Sequence, residues 1–148
     1  MGAPMKICTF FGHRDIEKEI EPKLLSALEE LILNKGVDTF YVGNQGNFDK
    51  MVIRVLGDLA KKHPHINYSI VLAYMPGRKA AWAEAEIKNS IYPEGLEKCP
   101  PKAAIKKRNL WMLKRSQFVV CGVESSIGNS AEMMALAQQQ GKCVINIK

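Results

Sequence analysis

The sequence predicts an α/β protein of the Rossmann-like type, with a three-layer α/β/α arrangement around a five-stranded, mainly parallel sheet. Apolar runs rich in β-branched and aromatic residues are near-continuous rather than alternating, as in strands that are covered on both faces. Helical patterns fill most of the intervals, and an alternation of strand and helix favours parallel strands joined by right-handed crossovers. The length of 148 residues matches a single domain.

Five apolar segments are predicted as strands, namely residues 5–11, 37–42, 66–74, 118–123 and 143–147. Helices are expected around residues 24–32, 48–59, 79–89, 101–116 and 130–140. Residues 90–100 break the alternation, because they contain Pro93, Gly95 and Pro100 and lack a helical pattern. We predict a loop insertion without a strand there, and it is either a lid over the site or a plain connector.

The composition is that of an average globular protein, with 47% hydrophobic and 24% charged residues. No run approaches the roughly 20 apolar residues of a membrane-spanning helix, and the N-terminus lacks a signal-peptide pattern, so we expect a cytoplasmic protein. Residues 1–4 resemble a cloning remnant, and one domain is expected over residues 5–148. The four cysteines form no C-x-x-C pair, which favours buried, reduced thiols. No metal site or cofactor is predicted.

The net charge of +6 is concentrated in one segment. Seven basic residues and no acidic residue lie between Lys98 and Arg115. This concentration points to an anionic ligand or surface beside the segment. A solvated face explains the lysines alone equally well.

Three predicted strands end in glycines and small polar residues, at the strand ends where doubly wound folds bind ligands. The candidate contacts to a ligand or phosphate are Gly12, His13, Arg14, Gly43, Asn44, Gly46, Ser125, Ser126, Gly128, Asn129 and Ser130. Glycine lets the backbone approach a phosphate, and the N–H groups at a helix start bind anions. The alternatives are ordinary turns and caps: Asn47 or Asp49 as a helix cap, and Asn129 with Glu132 as a capping box.

Helical spacing places Arg108 on one stripe with Ala104 and Met112, while the neighbouring lysines mostly point elsewhere. A guanidinium on an apolar stripe either extends to solvent or reaches a buried anion, and we favour the anion. Asn109 lies beside the stripe and is a candidate contact for a sugar or base.

Several short motifs together resemble the SLOG superfamily, and more narrowly its small bacterial stand-alone members. They are residues 9–14 (TFFGHR), 36–40 (GVDTF) leading to Gly43, 92–94 (YPE), 108–109 (RN) and 128–130 (GNS). The similarity covers residues 5–148. It implies a Rossmann-like fold with a pocket for nucleotides or nucleotide-derived ligands.

A related group in that superfamily is the Lonely Guy phosphoribohydrolases, which cleave the base from nucleoside monophosphates and carry a Pro-Gly-Gly-x-Gly-Thr-x-x-Glu signature. Gly128 and Glu132 keep its glycine-to-glutamate spacing, and Arg108 with Met112 is similar to the group's Arg-x-x-x-Met helix. Residues 124–126 differ from Pro-Gly-Gly, and Asn129 replaces the threonine. The resemblance implies Glu132 and Arg108 as candidate catalytic residues, and a homodimer.

Three functions follow as hypotheses. The leading one is binding of a nucleotide or another phosphorylated nucleoside at the strand ends. The alternatives are N-glycosidic hydrolysis of nucleoside monophosphates and a module that binds single-stranded nucleic acid or protein. DNA-processing relatives in the superfamily bind single strands, but Trp111 is the only aromatic residue in the basic helix for base stacking.

Overall fold

Six parallel strands form one sheet in the computed structural model, which describes residues 5–74 and 89–148. The strands are β1 (Ile7–Gly12), β2 (Thr39–Val42), β3 (Asn67–Val71), β4 (Ser90–Ile91), β5 (Phe118–Gly122) and β6 (Cys143–Asn146). Their order across the sheet is β4-β3-β2-β1-β5-β6, and every neighbouring pair is parallel. The predicted Rossmann-like α/β fold is confirmed.

Four α-helices connect these strands within the described residues, namely α1 (Glu21–Asn34), α2 (Gly46–Lys62), α3 (Pro101–Arg115) and α4 (Asn129–Gln139). Prolines stand in the first turn of α1 and of α3, where the missing N–H costs nothing. None of these helices is both long and apolar enough to cross a membrane. The helix predicted over residues 79–89 lies outside the described residues, apart from Asn89.

The sheet has six strands rather than the predicted five, and the extra strand lies in the segment predicted to be strandless. Strand β4 has two residues and pairs with Ile70 and Val71 of β3. Two residues are too few to produce a recognisable apolar pattern. The segment that follows contains a 3-10 turn, Leu96–Lys98, in which Leu96 is buried. It is therefore anchored to the body of the protein.

The core is divided into two apolar clusters, one on each face of the sheet. Leu28 of α1 and Leu56 of α2 belong to the cluster that contains Phe10, whereas Met112 of α3 belongs to the cluster that contains Phe11. Adjacent residues of β1 thus point to opposite faces, as the pleat of a strand requires. This division produces the three α/β/α layers and explains why the strands are apolar at nearly every position.

The cysteines are free thiols, and only some of them are buried as expected. Cys8 and Cys121 are buried, Cys99 is half-buried, and Cys143 is exposed. Burial raises the pKa of the Cys121 thiol to about 12, so it remains protonated at neutral pH. The expectation of burial is wrong for Cys143, because it begins β6 at the edge of the sheet.

The order in which the strands are added to the sheet reverses at β1, because β2 to β4 lie on one side of it and β5 and β6 lie on the other. Gly12 and Gly122 stand side by side at the carboxyl ends of β1 and β5. The buried ring of Phe48 packs against both: a Cβ at Gly12 would lie 2.3 Å from the ring, and one at Gly122 would lie 2.9 Å from it. These two glycines allow α2 to pack against the point where doubly wound sheets open a crevice.

Candidate functional site

A crevice of about 690 Å³ opens at the carboxyl ends of β1 and β5. This volume lies within the range of small-ligand sites. Its walls come from the end of β1, the start of α2, one face of α3 and the start of α4. Nine of the predicted site residues line it: Gly12, His13, Arg14, Arg108, Asn109, Gly128, Asn129, Ser130 and Glu132. Residues far apart in sequence are thereby brought to one place.

The other five predicted residues, Gly43, Asn44, Gly46, Ser125 and Ser126, are not part of this lining. Two of them have packing roles. Gly46 has φ of +83°, and a Cβ there would lie 2.7 Å from the Cα of Arg14. Gly43 leaves room for the side chains of Arg108 and Asp49. Close approach of the backbone is needed at both glycines, but the groups that approach belong to the protein.

The start of α2 is satisfied by groups of the chain itself. The Asp49 carboxylate Oδ2 accepts the N–H of Gln45 at 2.9 Å, and the Arg14 carbonyl accepts the N–H of Asn47 at 2.8 Å. The N-cap residue is Gln45 rather than Asn47 or Asp49, and Asp49 binds the N–H of that residue from within the first turn. Because these donors are already used, the start of α2 offers less to an external anion than a free helix end would.

His13 fixes the loop that follows β5. Its Nε2 accepts the N–H groups of Glu124 at 2.9 Å and Ser125 at 3.2 Å. The Ser125 hydroxyl in turn accepts the N–H of Ile127 at 3.1 Å, and the side-chain amide of Asn146 both accepts from and donates to the backbone of Val123. The loop is therefore held in place without a ligand.

The start of α4 faces the crevice with little internal capping. Gly128, with φ of +111°, is the N-cap residue and provides no side-chain cap, and Asn129 is already the first helical residue. The capping box considered for Asn129 and Glu132 is therefore not formed. The Glu132 side chain is exposed and lines the crevice, while the Ser130 hydroxyl donates to the carbonyl of Gly12 at 2.8 Å. A helix start of this kind carries partial positive charge.

Arg108 and Asp49 are buried, oppositely charged side chains that lie close together at the crevice without a direct salt bridge. Arg108 is 2% exposed and Asp49 is 8% exposed. A Cβ at Gly43 would lie 2.8 Å from Nη1 of Arg108 and 2.9 Å from Oδ2 of Asp49, so the two groups approach the same point. Nη1 of Arg108 donates to the Val71 carbonyl at 3.0 Å, and Nε donates to Oδ1 of Asn109 at 2.8 Å. The guanidinium is thus held by an amide oxygen and a backbone carbonyl, with the Asp49 carboxylate close by.

Burial dominates the titration of this pair. Loss of solvation raises the pKa of Asp49 to about 6, and the N–H of Gln45 and the charge of Arg108 offset this effect only in part. Loss of solvation also lowers the pKa of Arg108, while the charge of Asp49 acts in the opposite direction. Asp49 is therefore mostly ionised at neutral pH, and the loss of its hydration is incompletely compensated.

One face of α3 contributes two lysines that the sequence did not assign to the site. Lys102 and Lys106, one turn apart, line the crevice with Asn109, although the lysines near Arg108 were expected to point mostly elsewhere. Spacing alone did not identify them, because basic residues surround α3 on several sides. Trp111 lies outside the lining. The guanidinium of Arg115 lies 3.9 Å from the centre of the Trp111 ring, and the ring of Tyr41 also contacts Trp111.

Apolar side chains complete the lining, and these too were missed. Ile105 and Met112 belong to the face of α3, and Ile127 comes from the loop after β5. Ile127 is 80% exposed, which is unusual for a large apolar side chain. An isoleucine within a run of small polar residues was the available sequence signal. Among the described residues, no three His, Cys, Asp or Glu side chains form a group that could hold a metal ion.

Replacement of Asp49 by asparagine is expected to remove a pH dependence of stability. The folded pKa of about 6 lies above the ordinary 3.8, so proton binding to Asp49 stabilises the fold fully below pH 3.8. This stabilisation is lost as the pH rises through 6. The free energy of unfolding is measured by urea titration for the native chain and for Asp49→Asn. As the pH rises from 3.8 to above 6, the value for the native chain should fall by roughly 3 kcal/mol relative to that for the variant. Asp58→Asn, which removes an exposed carboxylate of the same helix, should show no such difference, and equal pH profiles for all three proteins would contradict the assignment.

No protein family model and no curated protein sequence matches this chain. Among solved structures, DNA processing protein A from Streptococcus pneumoniae is similar, with a TM-score of 0.65 and 14% identity over 95% of this chain and 49% of that one. DNA processing protein A from Helicobacter pylori, whose structure was described for its single-stranded DNA binding mode, has a TM-score of 0.62 and 15% identity over 94% and 63%. The chain spans about half to under two thirds of those proteins, and what it shares with them is the Rossmann-like fold.

Proposed function

We propose that the crevice binds a nucleotide or a nucleotide-derived ligand. The proposal rests on one observation. Lys102, Lys106 and the start of α4 line the same crevice, at the point where the strand order of the sheet reverses. Helix N–H groups and lysine side chains are both suited to a phosphate. Arg14 at the end of β1 adds a further cation to the same lining.

The apolar part of the lining suits the rest of such a ligand. Ile105 and the exposed Ile127 supply surfaces on which a base can be removed from water. A pocket that is largely apolar with a few convergent polar groups is typical of small-molecule sites. The combination of a cationic end and an apolar wall matches a base joined to a phosphate.

Membership of the SLOG superfamily is part of this proposal. Three of the motifs that carry the resemblance, residues 12–14, 108–109 and 128–130, line the same crevice although they are distant in sequence. Their convergence supports a common role in ligand binding.

Arg108 is the reason why the proposal is one of binding rather than hydrolysis. The resemblance to the phosphoribohydrolases assigns this residue to catalysis with Glu132. Its guanidinium donates to Val71 and Asn109 and lies beside Asp49. We therefore assign the phosphate contacts to Lys102 and Lys106, which are exposed at the crevice.

The test compares two neighbouring lysines of α3. Lys106→Gln is expected to weaken binding of the best ligand in a panel of nucleoside mono-, di- and cyclic phosphates by about tenfold, since a charge-assisted contact to the phosphate is lost. Lys107→Gln is the matched control, because Lys107 is exposed on the same helix but is not part of the lining. Binding is measured by calorimetry and by the shift of the melting temperature. A panel without any binder, or equal losses in both variants, would refute the proposal.

Single-stranded DNA is the second candidate ligand, and the basic surface of α3 together with the fold shared with DNA processing protein A favours it. A strand held by its phosphates would use lysines on both sides of α3, so Lys106→Gln and Lys107→Gln would weaken it alike. Its affinity would also fall steeply with salt concentration. Arg115 stacks on the Trp111 ring, which argues against stacking of a base on that ring.

A further inference from the structure

The charged groups around the crevice are mostly hydrogen-bond donors. Arg14, Lys102, Lys106 and Arg108 can donate but cannot accept. A sugar hydroxyl donates more strongly to a carboxylate than to the neutral oxygens of lining residues such as Gln45 and Ser130. Among the described residues of the lining, the carboxylates are Asp49 and Glu132. The question of which sugars the crevice accepts therefore concerns these two residues.

The two carboxylates differ in their contact with water. Glu132 is exposed, and water hydrates it when no ligand is present. Asp49 is 8% exposed and reaches the crevice from the first turns of α2. A hydroxyl that donates to Asp49 replaces little water, so a larger part of the hydrogen bond contributes to affinity.

Asp49 is also held in a fixed orientation. Its Oδ2 accepts the N–H of Gln45 at 2.9 Å, and the preceding residue, Phe48, is fully buried. A carboxylate has about four acceptor positions, and the bond to Gln45 uses one of them. A rigid acceptor loses little side-chain entropy when a ligand binds.

We propose that Asp49 accepts a sugar hydroxyl of the ligand, so that the crevice prefers ribonucleotides to 2′-deoxyribonucleotides. This inference rests on the proposed function and narrows the class of ligand. The pKa of about 6 supports it, because Asp49 is ionised at neutral pH but poorly solvated, and a hydroxyl donor compensates such a group. The same preference separates the proposed ligand from DNA, which lacks the 2′-hydroxyl.

The native chain is tested first, with the common ribonucleoside 5′-monophosphates and their 2′-deoxy counterparts as probes. We expect the best ribonucleotide to bind about tenfold or more tightly than its 2′-deoxy form at pH 7.5, as for a hydrogen bond to a charged group. Equal affinities would overturn this inference and leave the proposed function standing. Absence of binding by every probe would refute both.

Variants then assign the preference to a residue. Asp49→Asn should reduce the ratio of ribo to deoxy affinity to less than about threefold, while Asp58→Asn, on the same helix and away from the lining, should keep the native ratio. Folding of each variant is checked by thermal unfolding. If Asp49→Asn does not fold, the native ratio and a Glu132→Gln variant remain informative. If Glu132→Gln loses the preference for the ribonucleotide, the assignment to Asp49 is overturned. If Glu132→Gln keeps the native ratio of ribo to deoxy affinity, the assignment is supported.

Discussion

Replacement of Arg108 by methionine is expected to lower the free energy of unfolding by about 1–3 kcal/mol at pH 7.5, the cost of leaving a buried acceptor without its donor. The variant leaves Asp49 buried without its cation and takes a donor from the Val71 carbonyl. Methionine keeps an unbranched apolar stem. The loss of stability therefore reflects the removal of the charge and of its hydrogen bonds. Chemical denaturation measures it directly.

Two further variants show whether the loss arises from this pair. Arg115→Met removes an exposed arginine of the same helix, which stacks on Trp111, and should cost about 1 kcal/mol or less. Adding Asp49→Asn to Arg108→Met removes the uncompensated anion and should restore part of the stability. The loss should also shrink below pH 6, where Asp49 is protonated. Equal effects of Arg108→Met and Arg115→Met would contradict the buried pair.

Replacement of Gly12 by alanine is the second change with a large expected effect. The new Cβ would lie 2.3 Å from the fully buried ring of Phe48, so the ring or β1 has to move. Overpacking of a dense core typically costs about 1–3 kcal/mol, and the tight contact puts this site at the upper end. Thermal and urea unfolding should both show the loss.

Gly57→Ala is the matched control, since a Cβ there would have ordinary contact with the Tyr68 hydroxyl at 3.7 Å. Gly57 lies inside α2, where alanine should raise the stability by about 0.5–1 kcal/mol. Combining Gly12→Ala with Phe48→Leu should recover some of the loss, because the smaller side chain makes room. A neutral Gly12→Ala would contradict the tight packing of Phe48 against this glycine.

The fold was predictable because burial on both faces leaves a signal in each long strand. Phe10 and Phe11 face opposite clusters, so apolar residues stand at consecutive positions and mark the strand. Ser90 and Ile91 leave no such signal, because two paired residues have neither length nor pattern. The number of strands was therefore underestimated by one.

The candidate site was predictable where its residues follow a strand, begin a helix or, like Arg108, place a charge on an apolar helical stripe. Gly12 and Gly128 were found in this way. Gly43 was not distinguishable from a ligand-binding glycine, because the groups it accommodates, Arg108 and Asp49, meet only in the folded chain. Lys106 and Lys107 look alike in sequence, and only the orientation of α3 places one of them in the crevice.

The hydrogen bonds that His13 and Asn146 make to the loop after β5 bear on the kinetics of binding. A loop that is already in place requires no rearrangement of its own before a ligand binds, so we expect association with the proposed ligand to be governed by diffusion and by charge. For the anionic ligand proposed above, we expect the exposed lysines of α3 to raise the association rate at low ionic strength and the buried groups below them to set the lifetime of the complex. Under this proposal, the affinity and the association rate depend on different layers of the same crevice.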